Sequence, residues 1–215
     1  MTQQQIQYRG LKLDPFQQQA ITAIDAGHSV LVSAPTGTGK TLIADYLVEA
    51  IMNAGGRIIY TAPIKALSNQ KFREYIAIHG EEKVGLITGD TVIRRNAPLR
   101  IMTTEILRNI LLQGPDAHDN ATEMGEIGAV IFDELHFIDD PNRGTVWEEV
   151  LIYLPDSIQI LGLSATLSNL DELAGWLENI RGGPAGEVVV VREDRRSVPL
   201  SFNLVNKEIG ISTIE

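Results

Sequence analysis

The chain has 215 residues, 28 acidic and 18 basic, for a formal charge of −10, with 44% hydrophobic residues and no cysteine. That length holds one large domain, or one domain with part of a second, and the missing cysteines exclude a disulfide scaffold, a thiol nucleophile and a zinc–thiolate site. No run approaches the roughly 18 apolar residues of a membrane span, and the first ten residues lack the apolar stretch of a signal peptide, so a cytoplasmic protein without a membrane partner is expected. The charge is uneven: residues 1–108 carry 12 basic and 9 acidic side chains, residues 109–215 carry 6 and 19. A surface that meets phosphates belongs mostly in the first half, unless the unevenness is only chance plus solvated acidic faces.

In chain order, short β-branched runs alternate with segments of helical period, the pattern of a mostly parallel sheet with helices on both faces. The expected strands are residues 29–33 (SVLVS), 57–61 (RIIYT), 84–88 (VGLIT), 100–103 (RIMT), 129–132 (AVIF) and 159–163 (QILGL). Ile43, Tyr46, Leu47, Ala50 and Ile51 recur at three and four residues, which predicts an amphipathic helix after Lys40 that Gly55 and Gly56 stop. Residues 113–125 are polar with a Gly-Pro and read as a surface loop. Asn169 with Glu172 forms a capping-box pattern ahead of Leu170, Leu173, Ala174 and Leu177, so a helix begins just after Ser164–Thr166. After a last run, EVVVV at 187–191, a linker is expected near 194–199, and residues 200–205 read as one more strand.

The segment APTGTGKT (34–41) lies between the strand SVLVS and the amphipathic helix. That placement aims backbone N–H groups and a helix N-terminus at one point, which suits a polyphosphate. Gly37 and Gly39 permit backbone conformations closed to other residues. Lys40 supplies a positive charge for the β and γ phosphates, and the Thr41 hydroxyl can ligate Mg²⁺. The general pattern wants glycine where Ala34 stands, so by that rule the match is near rather than full. The cofactors expected are ATP and Mg²⁺.

Well beyond that loop, the strand AVIF runs into Asp133, Glu134, Leu135 and His136. Ligands of a doubly wound sheet sit at the carboxyl ends of its strands, so this acidic pair is expected beside the phosphate loop. Asp133 is assigned to the metal, largely through water, and Glu134 to orienting or deprotonating a water that attacks the γ phosphorus. His136 reads as a ligand, a coupling residue or a satisfied polar group. Ser164 and Thr166 either hydrogen-bond the acidic motif or form an ordinary helix lead-in.

Taken in order, APTGTGKT, DELH and SAT resemble the first motor lobe of superfamily 2 helicases, where alanine at the position of Ala34 is usual. Residues 13–21 (LDPFQQQAI), 61–71 (TAPIKALSNQK), 85–90 (GLITGD), 103–109 (TTEILRN) and 143–155 (RGTVWEEVLIYLP) are similar to the Ski2-like group of DExH-box RNA helicases. The resemblance spans about residues 13–199. It implies a RecA-like P-loop NTPase domain in which Gln17 reads the adenine edge, Thr36, Gly37, Thr38, Gly39, Lys40 and Thr41 hold the triphosphate, and His136, Ser164 and Thr166 couple hydrolysis to strand movement. It further implies that Pro63, Lys65, Gly89, Asp90, Thr103 and Thr104 line a track for single-stranded RNA through sequence-independent contacts to phosphates and sugars. Family members often carry an aromatic residue six positions before the glutamine to stack on adenine. Here that position is Leu11, with Tyr8 as the nearby substitute.

On the same resemblance, residues 1–194 are the first RecA-like domain, and 195–215 are a linker with the first strand of a second RecA-like lobe, whose arginine-bearing motifs do not occur in these residues. The expected partners are RNA, DNA as a possibility, and that second lobe. A DNA helicase of the same superfamily and a nucleotide-gated scaffold that unwinds nothing are the alternatives. A GTPase is disfavoured: DELH lacks a glycine three residues after its aspartate, and Asn206-Lys207-Glu208-Ile209 lacks the guanine-reading aspartate.

Overall fold

The computed structural model describes residues 7–113, 126–141, 143–165 and 169–196, and beyond them two short strands. The expected loop at 113–125 falls outside the described residues except for Gln113, as do residues 197–199 of the expected linker and Thr166.

A short hairpin, β1 (Gln7–Tyr8) and β2 (Leu11–Lys12), precedes α1 (Pro15–Asp25), β3 (Ser29–Ser33) and α2 (Lys40–Asn53). Then come β4 (Arg57–Ala62), α3 (Lys65–His79), β5 (Val84–Ile87), β6 (Val92–Ile93), β7 (Leu99–Thr103) and α4 (Thr104–Leu112). The rest comprises β8 (Ile127–Phe132), α5 (Gly144–Tyr153), β9 (Gln159–Ser164), α6 (Leu170–Ile180), β10 (Val188–Arg192), β11 (Asn203–Asn206) and β12 (Gly210–Thr213). The six expected strands from 29–33 to 159–163 and the run at 187–191 are present with their ends moved by two residues or fewer, whereas the strand expected at 200–205 is described only as β11, Asn203–Asn206.

Eight strands make one sheet in the order β10-β3-β9-β8-β4-β7-β5-β6, parallel except for the β5–β6 hairpin. The inner strands are apolar on both faces because both faces are covered. Val30, Val32, Ile58, Tyr60 and Ile131 pack under α1, α2 and α3 with Phe16, Ile43, Leu47 and Tyr75. The alternate residues Leu31, Ile59, Val130, Phe132 and Ile160 pack under α4, α5 and α6 with Leu107, Trp147, Leu151 and Leu177. The apolar run at 188–192 becomes the edge strand beside β3, in register from Val188↔Ser29 to Arg192↔Ser33. β11 and β12 pair only with each other, as a separate antiparallel ribbon.

Two local expectations met different fates. The double glycine ends α2 as expected: Gly55 takes φ +79°, and the N–H groups of Gly55 and Gly56 return to Met52 and Ile51 carbonyls at 3.1 and 2.9 Å, a closure only a residue at ease with positive φ provides. The capping box at Asn169 does not form. Asn169 is the N-cap of α6, but its side-chain NH₂ donates to Asp139 Oδ1 at 3.4 Å and its Oδ1, the atom that would accept from the helix, has no partner among the described residues. A reciprocal bond of that kind appears on α1, where the Asp14 N–H donates to Gln17 Oε1 at 2.9 Å.

Candidate nucleotide and nucleic-acid site

All the parallel strands end at one edge, and the expected residues are distributed along it. Past β3, Gly37 and Gly39 adopt φ +87° and +84°, and the Thr38 hydroxyl donates to Pro35 O at 2.7 Å. α2 starts at once with Lys40. Its first N–H groups have no partner inside the helix and face the loop. Thr36, Gly37, Gly39 and Thr41 are exposed, whereas Thr38 is buried. The Lys40 ammonium donates to the carbonyls of Ala34 and, at 3.1 Å, Pro35. Burial lowers its pKa, and the carboxylates of Glu134 and Asp133 oppose that shift. The lysine and both acids therefore share one electrostatic neighbourhood.

Gln17 is buried on α1, and its amide donates to the Thr38 and Gly39 carbonyls at 3.4 and 3.2 Å. It braces the loop that it is expected to serve. Leu11 is exposed. Tyr8, the substitute for an aromatic at that position, packs edge-on against Tyr46 of α2 with centroids 5.5 Å apart, so its ring is already committed.

On β8, pairing with β4 continues one residue past the strand, Asp133 N–H to Thr61 O at 3.0 Å. That extension puts the Asp133 side chain on the α2 face, alternating with Phe132. Its Oδ2 accepts the Tyr60 hydroxyl at 2.6 Å and its Oδ1 the Glu134 N–H at 3.0 Å. Burial first and the Asp133 charge second push the Tyr60 phenol well above its ordinary pKa. Glu134 holds φ +55°, ψ +46°, a left-handed conformation costing roughly 1–2 kcal/mol for a residue with a Cβ. His136 Nδ1 lies 3.4 Å from Glu134 Oε2.

β9 lies between β3 and β8, which places the phosphate loop and the acidic pair two strand spacings apart, about 10 Å. Ser33 pairs with Ser164, and Ala34 N–H donates to Ser164 O at 3.1 Å. The Ser164 hydroxyl is buried with no partner among the described residues.

The six expected track residues follow β4, β5 and β7 along the same edge. Lys65 and Asp90 form an exposed ion pair at 3.1 Å, and the Thr88 hydroxyl donates to Asp90 at 2.9 Å; these bonds, Lys65 foremost, lower the Asp90 pKa. Gly89 lies beside Lys65. Thr103 and Thr104 are buried where β7 passes into α4, and the Thr104 hydroxyl has no partner among the described residues. Arg143 reaches over to donate to Pro63 O at 3.3 Å.

Sequence reasoning missed Tyr60 and Arg143 as members of this site. The available signal was a tyrosine inside an otherwise aliphatic strand, whose hydroxyl must find an acceptor.

A family model described as DEAD/DEAH box helicase matches residues 14–173. The chain belongs to the DEAD/DEAH box helicase family. It is 47% identical over 91% of its length to the chloroplastic DExH-box ATP-dependent RNA helicase DExH15 of Arabidopsis thaliana, covering 16% of that protein. It is 41% identical over 94% of its length to the antiviral helicase SKI2 of Saccharomyces cerevisiae, covering 15%, and 44% identical over 87% to the probable helicase HelY of Mycobacterium tuberculosis, covering 20%. The chain thus spans 15 to 20% of the length of these relatives. Among solved structures, the helicase MrfA bound to DNA and AMPPNP superposes with a TM-score of 0.66 at 24% identity, over 86% of this chain and 28% of that one, which shows the fold. This is the ATP-binding lobe of a DExH helicase of superfamily 2, similar to the Ski2-like RNA helicases. Among the described residues no helix is long and apolar enough to cross a membrane.

Proposed function

We propose that this lobe, residues 1–194, works in a longer protein that draws single-stranded RNA 3′ to 5′, with residues 195–215 leading into a second lobe. The observation that carries the reading is the sharing of one sheet edge: Lys40 with Asp133 and Glu134 around β3, β9 and β8, and the track residues next along it on β4, β7 and β5. Hydrolysis at one end of that edge lies beside strand contacts at the other.

In this reading Thr36 to Thr41 cradle the triphosphate of ATP through backbone N–H groups, and Lys40 leaves its carbonyl partners for the β and γ phosphates. The Thr41 hydroxyl, exposed at the start of α2, and the Asp133 carboxylate on the α2 face are hard oxygen donors, a set that fits Mg²⁺. The ion supplies charge neutralisation of the phosphates when bound. Glu134 orients and deprotonates the attacking water, and Gln17 reaches the base edge from its place against the loop. His136, Ser164 and Thr166 couple the acidic motif to lobe movement. Pro63, Lys65, Gly89, Asp90, Thr103 and Thr104 hold the RNA backbone.

The cysteine-free composition is compatible with a cytoplasmic location. Alone, the 215 residues are expected to bind Mg-ATP weakly and to hydrolyse it near background, because an arginine from a second lobe is worth about 10³ to 10⁵ in rate in related phosphoryl transfers. The relatives' greater length supports this.

The deciding experiment measures ATPase of the full-length protein with RNA, with DNA of the same sequence, and with neither. Stimulation by RNA supports the reading, stronger stimulation by DNA replaces RNA with DNA, and indifference to both leaves the nucleotide-gated scaffold.

A further inference from the structure

We propose that Tyr60 is a positioning residue for the nucleotide site, its hydroxyl locking the Asp133 carboxylate in the one orientation in which it serves the metal. This rests on the reading of Asp133 as the metal carboxylate and adds a residue to it.

Tyr60 sits in the middle of β4, paired with Ile131 on β8 and Ile101 on β7, and has no exposed surface. Its neighbours on that face include aliphatic side chains under α2 and α3 and the ring of Tyr75. Phenylalanine would fill this volume equally well and would spare the cost of burying a hydroxyl. The hydroxyl has one acceptor, Asp133 Oδ2 at 2.6 Å, across 73 residues of sequence. Register explains the meeting: Ile131 is opposite Tyr60, and Asp133, two residues on, projects from the same face.

The other carboxylate oxygen is held as well, by the Glu134 N–H at 3.0 Å. One bond would leave the carboxylate free to turn about it. Two, one from the Tyr60 side chain on β4 and one from the backbone just past β8, fix its plane. The Tyr60 ring is itself clamped, tilted against Tyr75 of α3 at 5.6 Å with the Lys71 ammonium 5.9 Å from its centroid. A metal-bound carboxylate oriented by an outer partner loses affinity for the ion when that partner goes.

The test is Tyr60→Phe in the full-length protein, titrating a fluorescent ATP analogue in EDTA and then with increasing Mg²⁺. All titrations are run below the melting point of each variant, read by circular dichroism. The expected result is unchanged nucleotide affinity in EDTA and an increase of about tenfold in the Mg²⁺ needed for tight binding, the lower end of the usual loss when an outer-shell partner is removed. Asp133→Asn should abolish the Mg²⁺ dependence altogether. If it does and Tyr60→Phe keeps the wild-type Mg²⁺ requirement, the positioning role is overturned while the site reading stands. If Asp133→Asn leaves the Mg²⁺ dependence intact, the site reading itself fails, and Tyr60 with it. Equal weakening of Tyr60→Phe in EDTA and in Mg²⁺ also overturns the proposal, since it marks a general packing role.

Discussion

The carbonyl of Ser164 accepts the N–H of Ala34 at 3.1 Å, while the hydroxyl of the same serine is buried without a partner among the described residues. The backbone of Ser164 thus anchors the first residue of the loop at 34–41, while its side chain makes no hydrogen bond among the described residues. Unsatisfied buried hydroxyls cost about 1–3 kcal/mol. Ser164→Ala is therefore expected to melt at or slightly above the wild-type temperature by circular dichroism. If the hydroxyl finds its partner only during the motor cycle, the same variant in the full-length protein keeps ATP binding and loses strand separation in an unwinding assay. A clear drop in melting temperature would instead reveal a structural bond in the resting state.

Glu134→Gln preserves side-chain volume and leaves the left-handed backbone at this position as strained as before. Nucleotide affinity of the full-length protein should stay near wild type, and turnover should fall by about 10² to 10⁴, the usual contribution of a positioned general base. Single-turnover hydrolysis with RNA present is the measurement. Survival of a comparable rate would move the base elsewhere, and His136, 3.4 Å from the Glu134 carboxylate, is the nearest alternative.

Strands and helix stops were legible in the sequence because they depend on local periodicity and on glycine. Residues 29–33 and 159–163 announce themselves as buried strands, and Gly55 and Gly56 mark the end of α2 by a φ that other residues resist. The phosphate loop and the acidic pair were legible as motifs, and the expectation that they meet rested on the rule that parallel strands share a carboxyl edge. The Tyr60–Asp133 bond was not legible, because it depends on β4 lying beside β8 in one register, and a one-residue slip would turn Tyr60 to the other face. Asn169 shows the opposite error. Its capping pattern is local, yet the side chain turns its NH₂ to the distant acceptor Asp139 and leaves its oxygen off the helix N–H groups.

Gly144 opens α5 where the turn carrying Leu135 and His136 comes back against it. A Cβ here would lie 2.2 Å from the Ile138 carbonyl oxygen, and the Gly144 N–H already donates to Asp140 O at 2.7 Å. Nothing flexible can yield, since the obstacle is backbone. Gly144→Ala should destabilise the lobe by about 1–3 kcal/mol, the usual cost of overpacking, read as a lower urea midpoint at unchanged slope. Because the turn displaced is the one following Glu134, nucleotide-dependent activity should fall further than the lost stability explains. Wild-type stability in this variant would mean that the turn is free to move away.

His79 supplies the pH dependence. At the end of α3 it stacks on Tyr75 with centroids 5.8 Å apart and planes within 16°, its Nε2 buried without a partner among the described residues. Burial lowers its pKa from 6.5, against a smaller opposing pull from Glu49. A histidine whose folded pKa lies below its unfolded value takes up its proton more readily when the chain is unfolded. Its neutral form therefore supports the fold fully above about pH 6.5, and that support declines as the pH falls through 6.5 toward the folded value. His79→Phe keeps a ring against Tyr75 and removes the titration. Between about pH 7.5 and pH 5 the wild-type melting temperature should drop further than that of His79→Phe, the other titrating groups being common to both. Equal drops would show that His79 protonates as easily in the folded lobe as outside it, and that its stacked place on Tyr75 does not resist the charge.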